Sequence, residues 1–434
     1  MRSTNEGETE MTNAKSKELL STGPSVSRRR VLKAGAAMAG VAAIGFPGIV
    51  RSQSDKIKIG HLTPLTGFLG ALGEYAVMGL RMAEEEINRS GGVMGRQLEV
   101  ISEDSVNPAT AATKAQRMLE RDGAAVLMGE INSASALTIM QVAARNERLF
   151  MSIGARSDAL RGKNCNRYTF HVDIPVTVMV NAEGQGLLRD GLIKGKRIFC
   201  ITSDYLFGHD LARAAKKFMA ASGGTIIGDE LVATDATDFS AYLLKIRQGK
   251  PDLVATNLGG NQVTNFVKQY AEFGLPYPMA GFNLNTADAW AAGRGNLGGI
   301  WPTVWHHEID TPGSKAFVAA FRKKHNKTPE NHAWIEYVSL KVMAQAMNEA
   351  KSIDTQKLIA YFESEAQFDL LKPRKGYFRS WDHQMMQEAY TFTVKPEGTY
   401  KEAWDFLKFS AAIPAPDQPL ELLAPTKAEN SCVF

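Results

Sequence analysis

From residue 56 onward the chain alternates short β-like runs with longer stretches of helical spacing, and it does so twice. KIKIGHL, RQLEVISED, AAVLMG and RLFMSIG are separated by helical stretches. In the first of these, Ala76, Leu80, Ala83 and Ile87 share one face while Glu84 to Glu86 offer a solvated one. Strand followed by helix, repeated, specifies a parallel sheet covered on both faces. The alternation restarts near residue 195 with KRIFCITSD, GTIIGDELV, PDLVATNLG and YPMAGFN. The predicted fold class is therefore α/β, with two similar lobes of mainly parallel sheet flanked by helices. Helical patterning returns at 313–326 and 332–350, and AYTFTVKPEGTYKEAW predicts a hairpin turning at Pro396-Glu397-Gly398. The proline-rich AAIPAPDQPLELLAP predicts an extended tail. Open α/β sheets bind ligands in the loops at the carboxyl ends of their strands, so two such lobes imply a cleft.

The first strand-to-helix connection, PLTGFLGALG, holds Gly67, Gly70 and Gly73. Glycines at such a junction often cradle phosphate. Here they lack both the G-x-G-x-x-G spacing and the Lys-Ser/Thr of a P-loop, which argues against a nucleotide site. Their predicted work is a sharp turn that brings backbone to the cleft. His306–His307 is the only adjacent histidine pair, with no H-E-x-x-H, no Cys/His cluster and no G-x-S-x-G. No cofactor, metal or catalytic residue is predicted, and the chain is not read as an enzyme.

The formal net charge of +4 raises the question of nucleic acid, and its location answers it. Residues 1–52 hold eight of the 50 Lys and Arg but four of the 46 Asp and Glu, leaving 42 of each beyond them. The body carries no net basic field to steer a polyanion. SRRRVLK followed by AGAAMAGVAAIGFPGIV reads instead as an export signal. Arg28–Arg29 with Val31, Leu32 and Lys33 resembles a twin-arginine signal, the Sec route being the alternative. Cleavage is predicted near Ser52, giving a periplasmic protein.

Cys165, Cys200 and Cys432 suit an exported protein with one disulfide. Cys200 sits in an apolar strand and reads as a buried thiol. Cys165 and Cys432 lie in polar loops and are the better pair.

Polar, small-residue loops follow the strands. GEINSAS holds Asn132, Ser133 and Ser135; the two serines either cap the following helix or join its N–H groups in an anion site. SIGARSDAL, SDYLFGHD, NLGGNQ and GFNLNTAD do the same elsewhere. Tyr205 and Phe207 offer aromatic walls or, equally, close the core.

The opening IKIGHLTPLTGFLGALGEYAVMGLRMAEEEINRSGGVMGRQLEVISEDS, together with DYLFGHDLARAAKKFMAASGG and DHQMM, resembles the type I periplasmic solute-binding proteins of ABC transporters, in the leucine/isoleucine/valine-binding branch. The resemblance spans residues 56–400. It implies two lobes joined by three hinge crossovers, near His171–Pro175, Trp301–His307 and Gly376–Asp382. Lobe 1 is then 53–172 with 306–375, lobe 2 is 173–305 with 376–415, and 416–434 is the tail. It also implies a monomer delivering a small molecule to an ABC permease in the inner membrane, with no nucleic acid involved.

By position, Ser133 matches the family's carboxylate-binding serine and Gly154 a position that offers its carbonyl. Arg156 stands where relatives carry Thr or Ser, and Phe282 or Asn283 stands where those binding α-amino acids carry an acid. A cation is gained and an anion lost. An ammonium would lack its partner, whereas a carboxylate would gain a guanidinium fork. The expected ligand is a carboxylate without an amine, an aromatic or short aliphatic acid, ahead of a branched-chain amino acid. Phe68, Ala155, Tyr205 and Asn257 complete the expected ligand set. The alternative role on the same fold is a sensory module for a membrane signalling partner.

Overall fold

The computed structural model describes residues 56–434. The proposed export signal lies outside the described residues.

Strands β1 (Ile57–Thr63), β2 (Leu98–Asp104), β3 (Val126–Gly129), β4 (Phe150–Ser152) and β5 (Thr169–His171) form one parallel sheet in the order β2-β1-β3-β4-β5. In register, Ile59 faces Val100 on one side and Val126 on the other. These strands are apolar because helices cover the sheet: α1 (Gly70–Arg89), α2 (Pro108–Glu120) and α3 (Ser133–Arg145) connect them. Each of the last two starts at an asparagine cap. Asn107 Oδ1 accepts from Thr110 N ahead of Pro108, and Asn132 Oδ1 accepts from Ala134 N and Ser135 N. Neither serine of GEINSAS caps its helix.

The second lobe repeats the plan. Helix α4 (Val176–Arg189) leads to β6 (Arg197–Ser203), α5 (Leu206–Ala221), β7 (Thr225–Val232), α6 (Ser240–Gly249), β8 (Leu253–Asn257), α7 (Asn261–Glu272), β9 (Met279–Gly281) and α8 (Thr286–Ala292). The sheet order is β7-β6-β8-β9, all parallel. The chain then returns through β10 (Trp301–Thr303) to α9 (Pro312–His325), α10 (Asn331–Glu349) and α11 (Thr355–Phe362). Buried Trp305 and Trp334 stack there with centroids 5.8 Å apart, inside the first lobe's core.

The core residues show where the chain changes lobe. Ile174 belongs to the first core and Val176 to the second lobe's, while Val178, Met179 and Ala182 of α4 pack back on the first; Trp301 belongs to the second and Val304 to the first. The short hairpin of β11 (Tyr377–Phe378) and β12 (Met385–Met386) is anchored in the first core by Phe378 and Met385. Strand β13 (Tyr390–Val394) reaches both cores, Tyr390 the first and Phe392 the second. The late hairpin is wider than expected. β13 pairs with β14 (Leu407–Phe409), not with the GTYKEAW segment, which is held in the connection by Trp290 Nε1 donating to Trp404 O at 3.1 Å. A disulfide joins Cys165 to Cys432, pinning the tail to the first lobe, and Cys200 is a buried free thiol.

Candidate functional site

The glycine turn forms one lip of the interlobe cleft. Gly67 has φ +72°, open to glycine at no steric cost, and a Cβ on Gly73 would fall 1.8 Å from Pro64 O. The turn therefore folds tightly back on β1 and projects Phe68. From the other lobe Tyr205 meets Phe68 edge to face, with centroids 5.3 Å apart.

Behind these rings lies a small cavity of about 20 Å³, bordered by Leu69, Leu72, Ile131, Phe207 and Gly259–Gly260, with Gly154, Arg156, Asn283, Asn285 and His332 supplying the polar groups. That is room for about one water. The space is small because the lobes are bonded directly across it. Arg156 Nε donates to Asp173 Oδ2 at 2.7 Å on its own side. Its Nη1 donates across the cleft to Asn283 Oδ1 at 2.8 Å and Asn285 Oδ1 at 3.2 Å. The Asn331 amide, turned so that its nitrogen faces Glu330 Oε2 at 2.7 Å, accepts from Arg156 Nη2 at 3.0 Å. The buried guanidinium is thus paired once with a carboxylate and otherwise with neutral amides. Nearby, Asp210 of α5 reaches the first lobe, accepting from Ala159 N at 2.9 Å and from the Ser157 hydroxyl.

Acids lie near the cavity, though none borders it. Glu330 caps α10, accepting from His332 N at 2.6 Å and Ala333 N at 3.2 Å. Asp288 Oδ2 accepts from Asn285 Nδ2 at 2.9 Å, and burial pushes its carboxyl up to about 6, with Glu330 adding to the rise.

Outside the aromatic pair the cleft widens into a vestibule of about 650 Å³, reached by Phe68, Asn132, Ser135 and Tyr205. The sequence-derived set thus divides. Gly154, Arg156, Tyr205 and Asn283 meet at the small cavity, and Phe68, Asn132 and Ser135 at the vestibule. Ser133 is buried behind, its Oγ accepting from Ser157 N at 3.3 Å. Ala155 and Phe282 pack in the two cores, and Asn257 is buried with its Nδ2 donating to Thr202 Oγ1 at 3.2 Å. Successive residues leaving a strand face opposite ways, so Phe282 turns into the core and Asn283 into the cleft. Leu72, Ile131, Asn285, His332 and the partner Asp173 were not singled out. Asn285 lies two residues from Asn283, a spacing that carries it to the same side. His332 arrives from a distant helix and leaves no local pattern.

Residues 56–399 match the family model described as periplasmic binding protein. The chain belongs to the periplasmic binding protein family. It is a type I member of the leucine/isoleucine/valine-binding kind, a family of solute-binding receptors that serve ABC transporters. Among its relatives is Leu/Ile/Val-binding protein homolog 8 of Brucella abortus (strain 2308), 25% identical over 324 residues, covering 70% of this chain and 79% of the relative. A periplasmic binding protein from Burkholderia mallei superposes with a TM-score of 0.80 at 29% identity, covering 87% of this chain and 98% of that one. A solute-binding protein from R. palustris in complex with benzoate shares the fold, with a TM-score of 0.75 at 21% identity over 87% of this chain and all (100%) of that one. The family places this receptor outside the cytoplasm.

Proposed function

We propose that this receptor captures a small carboxylic acid without an α-ammonium group, aromatic or short aliphatic, and delivers it as a monomer to an ABC permease. The twin-arginine-like leader is the proposed export signal.

The observation that carries this reading is the aim of Arg156. Asp173 holds Nε on the first lobe, while Nη1 points at amide oxygens of Asn283 and Asn285 on the second and Nη2 at the Asn331 amide. When the lobes part, the Asn283 and Asn285 amides leave and Nη1 faces the cleft. A ligand carboxylate then replaces neutral acceptors with charged ones, and charged hydrogen bonds are roughly twice as strong. Leu69, Leu72, Ile131 and Phe207 surround the remainder of the solute. An α-ammonium fares worse. Arg156 is the cation at the cavity, the carboxylates of Asp288 and Glu330 are already engaged, and no acid borders the space.

A thermal-shift screen of aliphatic acids, aromatic acids and branched-chain amino acids tests the ligand class. Saturation at about 100 times the dissociation constant adds roughly 2.7 kcal/mol of stability. Arg156→Ala is expected to weaken acid binding by at least ~30-fold, since truncating a buried charged hydrogen bond costs about 2–5 kcal/mol. A shift only with zwitterionic amino acids, or normal binding by the variant, rejects the reading.

A further inference from the structure

The vestibule adjoins the small cavity, with Leu69 and Tyr205 in the walls of both. Its chemistry differs. The inner space sets Arg156, Asn283, Asn285 and His332 among apolar residues, whereas the vestibule, edged by Pro64, Leu69, Val106 and Pro108, presents hydroxyls and amides from both lobes and, among the described residues, no lysine or arginine. Ser105, Asn132 and Ser135 come from the first lobe, Thr234, Thr237 and Asn261 from the second. Ser135 is 1% exposed and its Oγ has no hydrogen-bond partner. A buried hydroxyl without a partner is costly, and a ligand group is one way to satisfy it. The carboxylates here are Asp204 and Asp235, both exposed; Asp204 already faces His209 Nε2 at 2.9 Å. Exposed, screened carboxylates give little to a cation. With no basic group, the vestibule also offers an anion nothing to offset its lost hydration.

We infer that the vestibule is a second subsite, which takes a neutral, hydroxyl- or amide-bearing extension of the ligand beyond the Phe68–Tyr205 pair. The inference rests on the proposed carboxylate position at Arg156. The substrate is then an acid with two unlike ends: a carboxylate held inside and an uncharged hydrogen-bonding tail held outside. The volumes fit this division. The inner cavity must expand to admit even a short acid, while the vestibule's 650 Å³ already suits a drug-sized group.

The test measures affinities by calorimetry and reports each as a ratio to the parent acid. Benzoate is compared with 4-acetamidobenzoate and terephthalate, and butanoate with 6-hydroxyhexanoate and adipate. The neutral-tailed acid is expected to bind at least ~5-fold tighter than its parent, and the dianion no tighter. Ser135→Ala should lower the neutral-tail ratio. Thr237→Lys, which adds a cation to the vestibule, should raise the dianion ratio. If parent acids bind and neutral tails add nothing in either series, or if dianions gain most in the unaltered protein, this inference is overturned and the carboxylate site stands. If no acid in either series binds, both fall.

Discussion

Gly260, on the second lobe, lies so close to Phe68, on the first, that a Cβ placed there would sit 2.2 Å from the Phe68 carbonyl oxygen. Its backbone, at φ +55° and ψ −140°, is one that side chains rarely adopt. The two lips close because this residue has no side chain.

Gly260→Ala is therefore expected to hold the cleft open and weaken ligand binding about tenfold or more. Small-angle scattering should show a larger radius of gyration than for the unaltered protein. Gly274→Ala is the control. It too has a positive φ, +62°, with nothing within 4 Å of the added carbon. It should lower stability without changing the scattering. Equal effects from the two substitutions would show that strain, not the lip contact, is responsible.

Asp173 sets the charge of the site. Its side chain is 1% exposed and receives Arg156 Nε at 2.7 Å. Asp173→Asn would leave a buried guanidinium with amide partners alone. Removing one member of a buried pair costs about 3–5 kcal/mol. Urea unfolding should show a loss of that order, and Asp173→Asn with Arg156→Met together should recover part of it. A loss below about 1 kcal/mol would mean that solvent reaches the pair.

The alternation of strands and helices was legible because backbone pairing and two-faced burial demand it wherever a parallel sheet forms. The helix starts were legible as types, though Asn132 caps where Ser133 and Ser135 stand beside it. What stayed hidden was direction. Phe282 and Asn283 are neighbours, and nothing local says which one turns to the cleft. Arg156 was visible as an added cation, but its partner Asp173 lies 17 residues away, beyond a further strand. Asn331 and His332 enter the site from a helix that folds back into the first lobe, so only tertiary structure brings them there. Phe378 and Met385 likewise hold their hairpin in the first core, a packing choice that strand propensity does not record.

Glu130, at the end of β3, ties stability to pH. Burial pushes its carboxyl up to about 8, against a hydrogen bond from Asn132 N, while the charge of Glu336 adds to the rise. The unfolded chain ionises near its ordinary 4.5. The folded state thus holds a proton that the unfolded state has released, and stability present below 4.5 is lost as pH rises through 8. The slope approaches about 1.4 kcal/mol per pH unit. Asp288 acts the same way up to about 6. Buried Lys372, lowered to about 7, acts oppositely above that value, since its folded form is neutral there. Between pH 6 and 7 the Glu130 effect should stand clear of both. Buried His306, lowered to about 3, and His307, lowered to about 4, add a rise with pH in this interval as their unfolded imidazoles deprotonate near 6.5. The Glu130 effect is therefore read by difference: Glu130→Gln should shift the slope of the urea midpoint against pH in the positive direction. An unchanged slope in the variant would place the proton elsewhere.

The Cys165–Cys432 bond closes a loop of 267 residues, and the tail it pins also accepts hydrogen bonds from the body, among them Arg374 Nη1 to Gln418 O at 2.7 Å. Asn181 Nδ2, on the second lobe, donates to Leu423 O at 2.8 Å, and Arg379 Nη1, on the first, donates to Pro425 O at 2.9 Å. The tail therefore straps both lobes, and the covalent end keeps the strap in place. In the chain-entropy account a loop this long contributes about 5 kcal/mol. Cys165→Ser with Cys432→Ser should lower the melting temperature and speed proteolysis of residues 416–434 before the body unfolds. Thiol labelling gives an independent readout. Cys200 is 0% exposed and burial pushes its thiol up to about 12, so almost none is thiolate at neutral pH. The folded, reduced protein should label rapidly at two sites, with the third appearing only on denaturation. Three fast sites would show that the second-lobe core opens without the strap, and an unchanged melting temperature in the double variant would show that the strap adds nothing to stability.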